Sequence, residues 1–226
     1  MKISFAEIYE KSIGLFDDPY LTKAYNSSPI HFQKLMYTYL QNGISLFNNP
    51  LDISLQLSNF TPPKGTMETF EKDGDKTTFV LDADFEIIEG SFYEYMVDNK
   101  IVKGSFDATE RTVTFPLVGD TYSFEQYYSG EFDVDLSIVG GSNTQRMAAV
   151  SVKDILARTL VRAWSEEKRN FLLDIQNILN DTDFKLHPAS AALRSKTLWV
   201  QQLESETAEL SNKLGWLIKF SKARGG

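Results

Sequence analysis

Apolar positions recur along the chain in three successive rhythms. Near the start Phe5, Ile8, Tyr9, Ile13 and Phe16 follow helical spacing. Ser4-Phe5-Ala6-Glu7 ahead of them matches a capping box, in which the serine accepts an orphan amide and the glutamate reaches back. Asp18-Pro19 and Ser28-Pro29 each set an N-cap before a proline, whose missing amide costs nothing at a first helical position. The pattern predicts helices over residues 19–25 and 29–47, the second burying Phe32, Leu35, Met36, Tyr39, Leu40 and Phe47 and ending at Asn48-Asn49-Pro50.

At Leu51, Ile53, Leu55 and Leu57 the period falls to two, the mark of a strand, and Thr61-Pro62-Pro63 stops it. Short β segments follow at 67–71, 77–81, 85–88, 92–97, 101–106, 111–115, 121–127 and 131–139. Asp73-Gly74-Asp75 reads as a hairpin turn between the first two, and Asp98-Asn99-Lys100 as a turn further on. Strands so spaced, with one aromatic face, predict an antiparallel sandwich. Gly140-Gly141-Ser142-Asn143 reads as a flexible hinge, after which the rhythm turns helical again with Ser151 as a cap.

Two long helices are expected, over 152–179 and 189–223, joined by a turn at 180–188. The first presents Val152, Ile155, Leu156, Leu160, Ala163 and Trp164, then Phe171, Ile175, Ile178 and Leu179, with a polar break at 165–170. The break fits a helix that leaves one partner for another, or equally an exposed turn of a bundle helix. The second carries a seam of Val200, Leu203, Thr207, Leu210, Leu214 and Leu217, with Trp199 and Trp216 lying off it. The fold class is therefore α+β, organised as a helical lead (1–50) packing with the C-terminal helices, an antiparallel β region (51–143), and a helical hairpin (144–226). Trp164, Trp199, Leu203, Leu210, Leu214, Trp216 and Leu217 are the candidate assembly residues.

Charge sharpens this division. The chain of 226 residues has a net charge of −8, but residues 51–143 hold six basic and eighteen acidic groups while 144–226 hold thirteen basic and nine acidic. The acidic middle repels nucleic acid and stays well solvated, and unlike ends of neighbouring subunits would attract. Four basic residues near the end, Lys213, Lys219, Lys222 and Arg224, complement the helix dipole and make only a weak phosphate signal. With no cysteine, disulfides, thiolate metal sites and cysteine nucleophiles are excluded. No apolar run is long enough to cross a membrane as a helix, and the first residues do not read as a secretion signal.

Little else carries chemistry. Asp82, Asp84 and Glu86, and Asp133 and Asp135, have the spacing of paired carboxylates for acid–base work or cation binding, but strand alternation also gives a solvated outer face. His31 is solitary, and no cofactor motif is present. Tyr127 and Tyr128 have the composition of a sugar-binding surface or, more ordinarily, of a sandwich core.

The segments Phe16-Asp17-Asp18-Pro19-Tyr20-Leu21, Phe32-Gln33-Lys34-Leu35-Met36-Tyr37-Thr38-Tyr39-Leu40 and Leu46-Phe47-Asn48-Asn49-Pro50 resemble the opening of tailed-bacteriophage neck proteins, the head-to-tail connector or adaptor type. Asp183-Phe184-Lys185-Leu186-His187-Pro188-Ala189-Ser190 before a long terminal helix extends the resemblance. It implies a non-enzymatic virion protein, a subunit of a homo-oligomeric ring, commonly twelvefold. Such a ring docks beneath the portal, contacts other neck or tail proteins and surrounds the DNA channel. A tail terminator, a baseplate component or a carbohydrate-binding module are the alternatives; an enzyme is the least favoured class.

Overall fold

The computed structural model describes residues 1–47, 55–137, 139–180 and 187–224. The stop at Asn48-Asn49-Pro50, the strand start at Leu51 and Ile53, and most of the turn before the last helix lie outside the described residues, as do the side chains of Ile175, Ile178 and Leu179.

The helical lead forms as its caps dictate. Strand β1 (Lys2–Ser4) passes into α1 (Phe5–Ile13), where Ser4 Oγ accepts from the Ala6 amide at 3.2 Å and Glu7 accepts from the Ser4 amide at 3.3 Å. Helix α2 (Pro19–Ser27) is capped by Asp18, which accepts from the Tyr20 amide at 2.9 Å, and α3 (Pro29–Ser45) by Ser28. Leu35 departs from expectation and is exposed: it lies about 100° round the helix from Met36, off the stripe of Phe32, Gln33, Met36, Tyr39 and Leu40 that faces inward.

Among the described residues, ten strands form three antiparallel sheets. In the first, β10 (Glu131–Val134) lies between β1 and β2 (Leu55–Thr61). The second has the order β3 (Lys64–Glu71), β9 (Thr121–Tyr128), β5 (Phe92–Val97), β6 (Lys100–Val102). The third has the order β4 (Thr78–Val80), β8 (Thr112–Thr114), β7 (Ser105–Asp107). The last two stack face to face across Phe79, Val113, Phe115, Tyr122 and Phe124; Phe70 stacks on Phe79 at 4.8 Å and Phe115 meets Tyr122 at 4.9 Å. This is the sandwich, each sheet donating alternate side chains to one aromatic core.

Several β expectations change in detail. Asp73-Gly74-Asp75 does not close a hairpin, because β3 pairs with β9 and β4 with β8; the turn carries the chain between sheets. The strand expected over 101–106 is divided at Gly104, where a side chain would meet the Tyr95 ring at 2.4 Å and the Thr114 carbonyl at 2.8 Å. Residues 85–88 are not a strand, since side chains satisfy this segment: Arg111 donates to the carbonyls of Asp82 and Phe85, and Gln126 bonds the Glu86 carbonyl at 2.8 Å and the Ile88 amide at 3.1 Å. Asp82, Asp84 and Glu86 consequently share no strand face. The strand expected over 131–139 stops at Val134 and joins the sheet of β1 and β2 on the helical side rather than the sandwich.

Helix α4 (Ser142–Asn180) begins ten residues before the expected start. Ser142 and Asn143 are its first residues rather than hinge, Gly141 supplies a φ of +82, and Gln145 bonds back to the Gly141 and Val139 carbonyls at 3.0 Å. Ser151 sits inside it, bonded to the Met147 carbonyl at 3.1 Å, and caps nothing. Helix α5 (His187–Arg224) runs back along α4. The second core joins α1, α3, α4, α5 and the first sheet through Phe5, Ile8, Phe32, Met36, Phe132, Leu156, Leu160 and Leu203. Gly43 of α3 lies so close to α4 that an added Cβ would be 2.8 Å from the Leu160 amide nitrogen. The architecture is α+β.

Candidate assembly surfaces

The joint between sandwich and helices is a buried carboxylate. Glu94 on β5 is 6% exposed and points at the start of α3, where both its oxygens accept from Ser28 Oγ at 2.9 Å and one accepts from the Ile30 amide at 2.7 Å. A carboxylate is what a helix N-terminus prefers, because the first amides are unpaired and carry partial positive charge. Beside it Lys34 of α3 pairs with Glu125 and lies 5.7 Å over the Tyr127 ring. Tyr127 is buried, and burial pushes its phenol up to about 12; Tyr127 therefore presents no sugar-binding face.

The seam of α5 turns toward α4. Val200, Leu203 and Leu214 are buried, Leu210 and Leu217 are half-buried against the same core, and Thr207 is satisfied by the Leu203 carbonyl at 2.6 Å. Trp164 is buried too, edge-on to Phe16 at 5.3 Å, with the Lys196 ammonium 4.6 Å from its ring centre. Trp199 is half-buried beside the core. Of the seven candidate assembly residues, Trp164, Leu203 and Leu214 are thus packed within the subunit. Trp216 is 59% exposed and alone of the seven stands clear of the core.

Around Trp216 is a surface that the seam reading missed. Phe220, one turn on, is 62% exposed and stacks on Trp216 at 5.7 Å; the Lys219 ammonium lies 5.4 Å from the indole centre. The signal was present in sequence, since 216 and 220 are i and i+4 on the face opposite the seam. Exposed Trp and Phe at one spot, flanked by cations, have the composition of an interface anchor. Further along the hairpin Phe171 and Leu198 are also exposed. The polar break marks where α4 leaves its contact with α3: Tyr39 donates to Glu167 at 3.0 Å, and beyond this point α4 has no fully buried residue among those described.

The sandwich presents the opposite character. A cleft of about 550 Å³ opens between the start of β3, the 86–89 segment and the end of β9. Pro62, Pro63, Ile88 and Tyr128 give it apolar walls, and Glu86 and Glu89 stand at its lip, Glu86 paired with Lys64. Gln126, fully buried, fixes the 86–88 backbone that forms one wall. Of the other carboxylates, Asp135 is hydrogen-bonded by the Ser137 side chain and accepts from the Ser137 amide at 2.9 Å, and these bonds hold its carboxyl below the usual range. Among the described residues no three His, Cys, Asp or Glu side chains converge as metal ligands, and no helix is long and apolar enough to cross a membrane. Comparison with protein-family models, curated proteins and solved structures finds no match.

Proposed function

We propose that this chain is a non-enzymatic virion structural protein, a subunit of an oligomeric ring at the neck of a tailed phage, joining portal to tail. The observation that carries the reading is the α4–α5 hairpin. Its apolar seam is satisfied inside the subunit, yet it still presents Trp216, Phe220, Phe171 and Leu198 to solvent. Large exposed side chains on a helical hairpin are a liability for a free monomer and an asset for a subunit that docks. The resemblance of the N-terminal segments to neck proteins supplies the setting, and the uneven charge of the chain supplies unlike surfaces for neighbours.

The reading is tested on purified particles. Mass spectrometry and image reconstruction should find the chain in multiple copies at the head–tail junction. Light scattering should show larger species when the purified chain is mixed with portal. Absence from particles would overturn the assignment.

A further inference from the structure

Two surfaces of the chain are complementary in shape and chemistry. One is a projection: Trp216 and Phe220 stacked at 5.7 Å on the outer face of α5, with Lys219 over the indole and Lys213 one turn before it. The other is a recess: the cleft of about 550 Å³ on the sandwich, with walls of Pro62, Pro63, Ile88 and Tyr128 and the carboxylates Glu86 and Glu89 at its lip. We propose that the Trp216–Phe220 ridge of one copy seats in this cleft of a second copy.

Three independent matches support that occupant. The first is polarity. An indole and a phenyl ring lose unfavourable exposure only against an apolar surface, and proline and tyrosine walls provide one with little side-chain freedom to lose. Size agrees as well, because volumes of roughly 300–1,000 Å³ accommodate groups of a few rings. The third match is charge. Lys213 and Lys219 flank the ridge, Lys213 already paired with Glu209 at 2.6 Å along the helix, and Glu86 and Glu89 edge the cleft; Glu86 already holds Lys64, which also lines the cleft, whereas Glu89 has no ion pair among the described residues. The same complementarity holds at larger scale, between a β region with eighteen acidic and six basic residues and a helical hairpin with thirteen basic and nine acidic. Charges of this kind steer encounter and fix orientation, while the aromatic anchor sets the lifetime of the contact.

Because ridge and cleft are different surfaces, the contact is head-to-tail. Each bound copy leaves one free ridge and one free cleft, so the contact repeats until a ring closes or a filament grows. This rests on the assembly reading above and adds the surfaces that would perform it.

The chain contains no cysteine, so single cysteines report contact directly. Lys219→Cys and Glu89→Cys both alter exposed side chains. Mixed in equal amounts and oxidised, the two purified full-length variants should give a disulfide-linked dimer of one of each, while neither variant alone should. In sedimentation velocity Trp216→Ala should raise the concentration needed for self-association by about 30-fold or more, as loss of an interface anchor does. Lys219→Glu should weaken association and recover it when mixed with Glu89→Lys. Absence of the mixed dimer overturns the contact, as does a wild-type chain that stays monomeric. Efficient cross-linking of Lys219→Cys to itself would show a two-fold contact between ridges instead. Failure of the neck assignment is read separately: a chain that cross-links as described but is absent from particles retains the contact and loses the location. A chain present in particles without the 219–89 cross-link does the reverse.

Discussion

Glu94 offers the sharpest test of how the two halves of the molecule are held together. Its carboxylate accepts from the Ile30 amide at 2.7 Å and from Ser28 Oγ at 2.9 Å, almost out of contact with water. Replacement by alanine removes the acceptor and leaves the Ile30 amide unpaired in a buried place, at about 1–3 kcal/mol for that group. Loss of the negative charge at the α3 N-terminus adds about 1 kcal/mol, and the cavity left by the side chain adds more. Glu94→Ala should therefore lose about 3–4 kcal/mol. Glu94→Gln keeps the shape and one acceptor but not the charge, and should lose about 1–2 kcal/mol. The assay is urea denaturation followed by two signals, the tryptophans, all on α4 and α5, and far-ultraviolet dichroism. Amide exchange at Ile30 and His31 reads the cap directly and should accelerate strongly in the alanine variant alone. If Glu94→Ala falls within about 1 kcal/mol of wild type, or the glutamine and alanine variants behave alike, the carboxylate is not what secures this joint.

Three further outcomes follow from the described contacts. Gly43→Ala improves intrinsic helix propensity by about 1 kcal/mol, yet it should destabilise by about 1–3 kcal/mol because its methyl would press on the Leu160 backbone; thermal melts give the sign. Arg111→Ala removes the donor that holds the Asp82 and Phe85 carbonyls and should lose about 2 kcal/mol, with faster exchange or proteolysis confined to residues 82–88. Burial, aided by the Glu167 hydrogen bond and charge, pushes Tyr39 up to about 12, and burial does the same for Tyr127. The neutral phenol is the form the fold favours, so this stability is complete below the unfolded value near 10 and is lost as pH rises through about 12. Tyrosinate absorbance should accordingly rise late for these residues in native protein; all ten tyrosines ionising together near 10 would contradict the burial.

Local chemistry was the most legible part of the sequence. Ser4, Asp18 and Ser28 announce their helices because a cap is decided within three residues, and the seam of α5 turns inward because period is a property of one element. What failed was decided between elements. The strand expected over 101–106 divides because β6 pairs with β5 and β7 with β8, and Gly104 sits at the crossing because Tyr95 and Thr114 occupy the space where a side chain would stand; nothing near 104 in sequence reports those partners. Residues 85–88 have an extended-looking pattern, but Arg111 and Gln126 reach in from elsewhere and satisfy their backbone. The candidate assembly residues divide on the same ground. Periodicity identifies an apolar stripe without saying whether its partner lies within the subunit; the structure buries Leu203 and Leu214 inside it and leaves Trp216 exposed. Phe220 is legible by its spacing from Trp216, on the face opposite the stronger seam.

The pairing of β1 with β10 has a consequence for the order in which the molecule is made. Ile3 lies opposite Phe132, and Phe5 and Ile8 pack in a core completed by Leu156, Leu160 and Leu203, so these residues wait for partners translated much later in the chain. The sandwich closes over a shorter span, between Lys64 and Tyr128, and can condense while the C-terminal helices are still being translated. On a ribosome adding about 5–20 residues per second, the N-terminal helices spend several seconds with their apolar faces uncovered beside a finished β unit. The late arrival of α4 and α5 seals that core, so exposed Trp216 and Phe220 on α5 take their place on the outer face at the same stage as the interior closes.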